Sequence, residues 1–352
     1  MKRSRKQLQP STAVDLMALA EIVERFTGKH VVVLGDFVAD EFQFGDITRV
    51  SREAPVLILK HRASQIVPGG GANAVNNFSS LGAKVTPVTA VGDDVAGRRL
   101  LEIFKEKRVD TSAILRVKGW ITPTKTRFLA GWAHTVGQQV LRVDYEPVGP
   151  PPEAARMWLR RKLATEMTRA DAMAISDYGF GIATPEEVRR ATRGQRREIP
   201  VTLDSRYRLA DYKKAGITAA TPNEAELETL HQTVIGKNVA ELERCGEATR
   251  EELKLHSLLV TRGRDGMALY QAQHKVVHIA VYGSDQAVDV TGAGDTVLAA
   301  YTLALASGAS PIEAAHIANI AGGLVVMKRG TATVLQQELL DAIRTSASGA
   351  SA

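Results

Sequence analysis

The chain has 352 residues, 44% hydrophobic and 24% charged, enough to bury a large core in one α/β unit with a small appendage. Its single cysteine, Cys245, excludes a disulfide scaffold and fits a reducing, cytoplasmic compartment. The net charge of +6 is spread over 45 basic and 39 acidic residues instead of one stripe, which argues against a nucleic-acid partner, and no run of about 18 apolar residues is there to span a membrane.

The basic cluster Lys2, Arg3, Arg5 and Lys6 is followed by Asp15, Glu21 and Glu24, not by an apolar stretch, so it reads as a solvated tail and not a secretory leader. Val14, Met17, Ala18 and Ile22 recur at helical spacing and predict a leading helix, so residues 1–29 are read as tail plus helix. Residues 31–34, closed by Gly35, form a β-branched run of the kind found in strands buried on both faces. Similar runs follow at 85–91, 172–176, 201–204, 217–220 and 258–261, with helical stretches at 95–107, 153–169, 185–193 and 224–231. This alternation describes a layered α/β domain over 30–345 with a mostly parallel sheet. Residues 42–60 and 124–145 break the rhythm. They are rich in β-formers without helices of their own, and predict strands of a small second sheet, within about 41–60 and 121–146, that covers the mouth of a site; two hairpins lying on the main sheet are the alternative. Residues 346–352, SASGASA, read as a flexible tail.

Six places along the chain carry residues suited to chemistry. Gly292, Ala293 and Gly294 lie between a β-rich stretch at 287–290 and an apolar helix at 297–306, which places their amides at a helix N-terminus as an anion site. Asp295 follows in the first turn. Capping explains it, and so does a role in accepting the proton of a hydroxyl that attacks a phosphoryl group. No GxxxxGK[ST] loop is present to bind phosphate instead. Asp36 and Asp40 place two carboxylates at the C-terminal end of the first strand, the ligand position of open α/β sheets, although both are also ordinary turn formers. Residues 68–73, PGGGAN, enter a helix. Gly70 and Gly71 permit close approach by a ligand, and Asn73 and Asn76 supply donors and acceptors; a flexible capped turn fits equally. Asn223 and Glu226 suit either a helix cap or a metal–phosphate water shell. Thr261 to Gly266 is a hairpin or a nucleotide loop, and Asn319 a helix-surface residue or a nucleotide contact.

In order, GDFVAD at 35–40, PGGGAN at 68–73, TPNEAE at 221–226, TRGRDG at 261–266 and DVTGAGDT at 289–296 resemble the ribokinase (PfkB) family of carbohydrate kinases. The resemblance implies a ribokinase-like, three-layer α/β/α domain with a β-sheet lid, ATP and Mg2+, and Asp295 as base over the anion hole of Gly292, Ala293 and Gly294. It implies that Asp36, Asp40, Gly70, Gly71 and Asn73 grip the sugar. Thr261, Gly263, Gly266 and Asn319 would hold the nucleotide, and Asn223 and Glu226 the magnesium through water. Asp289 and Thr291 match positions that in some members bind a monovalent cation such as K+.

Within the family, TRVSREAPVLILK at 48–60, the segment 124–146 and ISDYGFG at 175–181 look like the kinases of D-glycero-β-D-manno-heptose 7-phosphate, which form the 1,7-bisphosphate for lipopolysaccharide precursors. On that likeness Lys125, Arg127 and Arg142 would meet the sugar's phosphate; a solvated lid face explains them as well. Phe180 and Arg206 depart from the pattern, standing where lysines are expected. Relatives with a second, nucleotidyltransferase domain imply that a separate protein performs that step here. Open lid edges suggest a homodimer. A kinase for a neutral sugar or nucleoside, and a catalytically silent ligand-binding regulator, are the competing readings.

Overall fold

The computed structural model describes residues 14–131, 137–195, 197–284 and 286–349. The basic cluster at 2–6, the segment 132–136 of the expected lid and residues 350–352 lie outside them.

The chain opens with α1 (Leu16–Glu24), capped by the Asp15 side chain on the Met17 N–H at 2.9 Å. Its buried face is Leu19, Ala20, Ile22 and Val23, whereas Met17 is exposed, one position off the stripe the spacing predicted. The strand β1 (His30–Gly35) runs directly into the long β2 (Phe37–Val50), which leaves the main body and returns through β3 (Leu57–Gly70) into α2 (Gly71–Ser80). Then come β4 (Lys84–Gly92), α3 (Val95–Glu106) and β5 (Ile114–Val117). A second excursion follows through β6 (Thr124–Gly131) and β7 (Gln138–Tyr145). The α/β rhythm resumes with α4 (Glu153–Met167), β8 (Ala172–Asp177), α5 (Pro185–Thr192), β9 (Val201–Ser205), β10 (Ala219–Ala220), α6 (Glu224–His231), α7 (Val239–Leu253) and β11 (Ser257–Thr261). Last are β12 (Met267–Gln271), β13 (Val277–Ile279), α8 (Ala293–Ala306), α9 (Pro311–Val325) and α10 (Gln336–Gly349).

Nine strands form the main sheet in the order β13-β12-β11-β10-β9-β8-β1-β4-β5, parallel except where β12 pairs antiparallel with β11 and β13. Strand alternation divides the core. Val31 and Val33 of β1 pack with residues of α1, α2, α3, α8, α9 and α10, while Val32 and Leu34 pack with α4, α5 and α7 on the other face. Burial on both faces is why β1 is uniformly apolar instead of alternating.

The excursions form a separate four-stranded sheet, β3-β2-β6-β7, with β2 and β6 parallel and the outer pairs antiparallel. The two-hairpin alternative is thereby excluded. The lid strands reach further toward the body than expected, back to Phe37 and on to Gly70. Two other expectations are corrected. Residues 287–290 form no strand: Val288 and Val290 are exposed, and the N–H groups of Val288 and Asp289 both go to the Val326 carbonyl. Residues 346–349 are not a loose tail but the last turn of α10, which packs against α1.

Candidate active site

The parallel strands β1, β8, β9, β10 and β11 all end at one edge of the main sheet, beneath the lid. A cavity of about 560 Å³ lies there. Its wall takes Asp40, Gly69, Gly70, Lys125 and Arg127 from the lid side, Tyr178, Asp204 and Arg206 from the ends of β8 and β9, Thr221, Asn223, Glu226 and Thr261 further along, and Thr291, Gly292, Gly294 and Asp295 from the start of α8.

Asp295 is 4% exposed. Its Oδ2 accepts from Asn73 Nδ2 at 2.8 Å, while its Oδ1 is buried with no partner. Burial raises its pKa to about 7, against the Asn73 hydrogen bond, which lowers it, and with help from the Asp40 charge. A carboxyl that exchanges its proton near neutrality and keeps one oxygen free has the properties of a general base. Gly292 makes the approach possible. It caps α8 at φ 78°, and a Cβ there would sit 2.5 Å from Asn73 Nδ2. The first turn of α8 leaves the N–H groups of Gly294 and Asp295 without intrahelical partners, so an anion can be received there. Ala293 belongs to the turn but not to the wall, and its N–H bonds the Val290 carbonyl at 3.3 Å.

Asp40 faces the same space, paired with Arg127 at 2.5 Å. Gly69 gives that carboxylate its room, since a Cβ at Gly69 would come 2.4 Å from Asp40 Oδ2. Asp36 does something else. Wholly buried and outside the cavity wall, it accepts from the Tyr178 and Phe180 N–H groups through Oδ2 at 2.9 and 3.0 Å, and from Ile182 N–H through Oδ1 at 3.0 Å. Burial and the neighbouring Asp177 charge raise its pKa to about 6, against the pull of those three donors. Asp177 accepts from Gly179 N–H, Ser205 Oγ, Arg208 and Tyr212 in turn. Two buried carboxylates thus fix the 178–182 loop, and with it Tyr178, whose hydroxyl the Asp295 charge and burial keep protonated.

Other expected site residues are also redistributed. Asn73 is fully buried and outside the cavity wall; its Nδ2 donates to Asp295, and its Oδ1 has no partner. Asn76 points the other way, accepting from Lys107 Nζ at the end of α3. Gly71 starts α2 behind the wall. Arg142 pairs with Asp144 at 2.9 Å and lines a neighbouring cavity rather than this one. Asn223 and Glu226 form a reciprocal capping box at 2.9 Å in each direction, yet both also reach the wall, where burial raises the Glu226 pKa. Thr261 lines the cavity; Gly263 and Gly266 do not, and the TRGRDG segment is the connection of the β11–β12 hairpin. Asn319 donates to the Ala280 carbonyl at 2.8 Å and braces the segment after β13. Asp289 uses both carboxylate oxygens at 2.9 Å, on the Thr291 and Gly330 N–H groups.

Asp204 was missed by the motif reading. Its carboxylate lines the cavity with no hydrogen bond or ion pair among the described residues, and burial together with Glu226 and Asp295 raises its pKa well above the usual range. The strand-end logic that singled out Asp36 applies equally to Asp204 at the end of β9. Among the described residues no group of three or more His, Cys, Asp or Glu forms a ready metal cage. Asp204 and Glu226 fit an ion held chiefly by water and phosphate oxygens, the habit of Mg2+.

The family model for pfkB family carbohydrate kinases matches residues 29–338. The chain is a member of that family. Among similar curated proteins, the bifunctional protein HldE of Mesorhizobium japonicum is 39% identical over 331 residues, covering 92% of this chain and 64% of that protein. HldE of Paramagnetospirillum magneticum is 38% identical over 336 residues, covering 94% and 66%. The chain therefore spans about two thirds of the length of these relatives. The fold matches Arabidopsis thaliana ribokinase complexed with ribose and ATP at a TM-score of 0.69 and 20% identity, over 90% of this chain and 99% of that one. It matches Escherichia coli phosphofructokinase-2 in complex with potassium at 0.69 and 17%, over 91% and 99%. The architecture is ribokinase-like. No helix among the described residues is long and apolar enough to cross a membrane.

Proposed function

We propose that the kinase transfers the γ-phosphoryl group of ATP to the anomeric hydroxyl of a heptose 7-phosphate, giving the 1,7-bisphosphate. The observation that carries the transfer step is the buried, unpartnered Oδ1 of Asp295, a residue of the cavity wall at the start of α8. The heptose phosphate is supported by the HldE relatives, which are similar across nearly the whole chain.

In this reading Asp40, fixed by Arg127, accepts hydroxyl hydrogen bonds from the sugar. Its reacting hydroxyl donates to Asp295 Oδ1, which takes the proton as the phosphoryl group arrives over the Gly294 and Asp295 amides. The lid keeps water out. Magnesium would neutralise phosphate charge, with Asp204, Asn223 and Glu226 holding its water shell. Asp289 and Thr291 remain a proposal for a monovalent cation, checked by comparing activity with and without K+. Lid side chains Val50, Val56, Leu57, Leu141 and Tyr145 are exposed, which supports a homodimer through the lid, testable by sedimentation equilibrium. We place the reaction in the cytoplasm, with nucleotidyl transfer performed by a separate protein or domain.

The test is ADP release with a panel of acceptors at saturating Mg·ATP. Heptose 7-phosphate is expected to give the highest kcat/KM. Preference for a neutral sugar or a nucleoside would overturn the acceptor, and no turnover of any acceptor would favour a silent binding protein.

A further inference from the structure

Beside the cavity at Asp295 lies a second, of about 660 Å³, and the two share a wall made of Lys125, Tyr178, Arg206 and Tyr207. The second cavity is lined by five cationic residues and two carboxylates, Asp144 and Glu146. Besides Lys125 and Arg206 it is lined by Arg142, Arg156 and Arg208. Those three are already engaged, with Asp144, Glu153 and Asp177 respectively. Arg127, in the first cavity, is engaged with Asp40.

Lys125 and Arg206 differ from all of these. Neither has an ion pair or a side-chain hydrogen bond among the described residues; each only rests over a ring, Lys125 on Tyr178 at 5.7 Å and Arg206 on Tyr207 at 5.6 Å. They come from opposite sides, Lys125 from lid strand β6 and Arg206 from the main body just past β9. They repel one another: burial, and after it the Arg206 charge, lowers the Lys125 pKa. Nearby, the Nε atoms of Arg156 and Arg208 are buried and unpartnered. Unpaired cations converging on one cleft, with spare N–H donors behind them, are matched by an anion with several acceptor oxygens.

We propose that Lys125 and Arg206 are the two jaws of an anion clamp that holds the acceptor's remote phosphate between lid and body while its reacting hydroxyl lies at Asp295. The clamp deepens the proposed function and rests on it. Arg206 thus carries the charge that the lysine expected at its own position would supply, and Phe180, at the other departure, contributes its N–H to Asp36 instead of a charge. Of the three lid cations implied by resemblance, only Lys125 is free to act. An anion bridging the jaws would also cancel their repulsion and draw the lid onto the body.

Two measurements test the clamp separately from the acceptor. In steady-state assays with heptose 7-phosphate, Lys125→Gln and Arg206→Gln are expected to raise the acceptor KM about 10- to 100-fold, the loss of a charge-assisted hydrogen bond, and to leave the ATP KM unchanged. Arg206→Lys is expected to recover most of the loss. An acceptor KM within about twofold of wild type in both Gln variants would overturn the clamp. In calorimetry with Mg·AMP-PNP saturating the nucleotide side, inorganic phosphate is expected to bind the wild type and to bind the Lys125→Gln/Arg206→Gln double variant at least about tenfold more weakly. Equal binding, or none to the wild type, would overturn the clamp whatever the true acceptor. Phosphate binding that depends on the clamp, without turnover of heptose 7-phosphate, would support the clamp and overturn only the acceptor assignment.

Discussion

The end of β1 and the start of α8 each bring a buried carboxylate to the same edge of the sheet, yet the two have different surroundings. Asp36 is saturated by three backbone N–H groups. Asp295 has one side-chain donor and one oxygen with none. Desolvation raises both pKa values, to about 6 and about 7. Raised proton affinity alone therefore does not separate these two carboxylates; the acceptor that Asp295 leaves unused does.

The sharpest break between the two comes from Asp295→Asn. It is expected to fold normally and to lose at least about 100-fold in kcat, the usual scale for removing a general base. Stability should move the other way. A carboxyl whose pKa rises from 3.8 unfolded to about 7 folded stabilises the fold below about pH 4, and that contribution is lost as pH climbs through 7. At pH 8 the Asn variant should thus have a thermal midpoint at or above that of the wild type.

Asp36→Asn should show the reverse pattern. Its amide would set a donor against one or two of the N–H groups of the 178–182 loop, costing about 2–4 kcal/mol in stability, read as a lower thermal midpoint. Activity would fall through a displaced Tyr178, with the acid limb of the pH profile still present. A midpoint unchanged from wild type would contradict the loop-anchor role.

Asn73→Ala is the mildest of the three, expected to lower kcat/KM about tenfold while keeping the base. Because the Asn73 hydrogen bond lowers the Asp295 pKa, its removal should shift the acid limb of kcat/KM toward higher pH. A limb that stays in place would show that Asn73 does not tune the base.

The layered fold was legible because β1, β8 and β11 are apolar on both faces and stand between helices with clear periodicity. Residues 287–290 misled because Val288 and Val290 look like strand residues but face solvent in a loop whose N–H groups converge on one carbonyl. The site was legible as segments, not as contacts. Spacing placed Asp36, Asn73 and Asp295 near one edge but carries no record of which polar groups satisfy one another across 222 residues of separation, as Asn73 and Asp295 do. Asn76 shows the same limit: three residues past Asn73 on α2, it turns to Lys107. Asp204 lies in none of the quoted motifs, and only its near neighbour Arg206 stands out in sequence, as a departure from the expected lysine.

The central claim is that Asp295 takes the acceptor's proton. The pH dependence of kcat/KM for the acceptor, measured for wild type and Asp295→Asn across pH 5 to 9, tests it most directly. The wild type should gain activity with loss of one proton near pH 7, and the residual rate of the Asn variant should lack that limb. The same limb in both proteins would assign the titration, and the base, to another group.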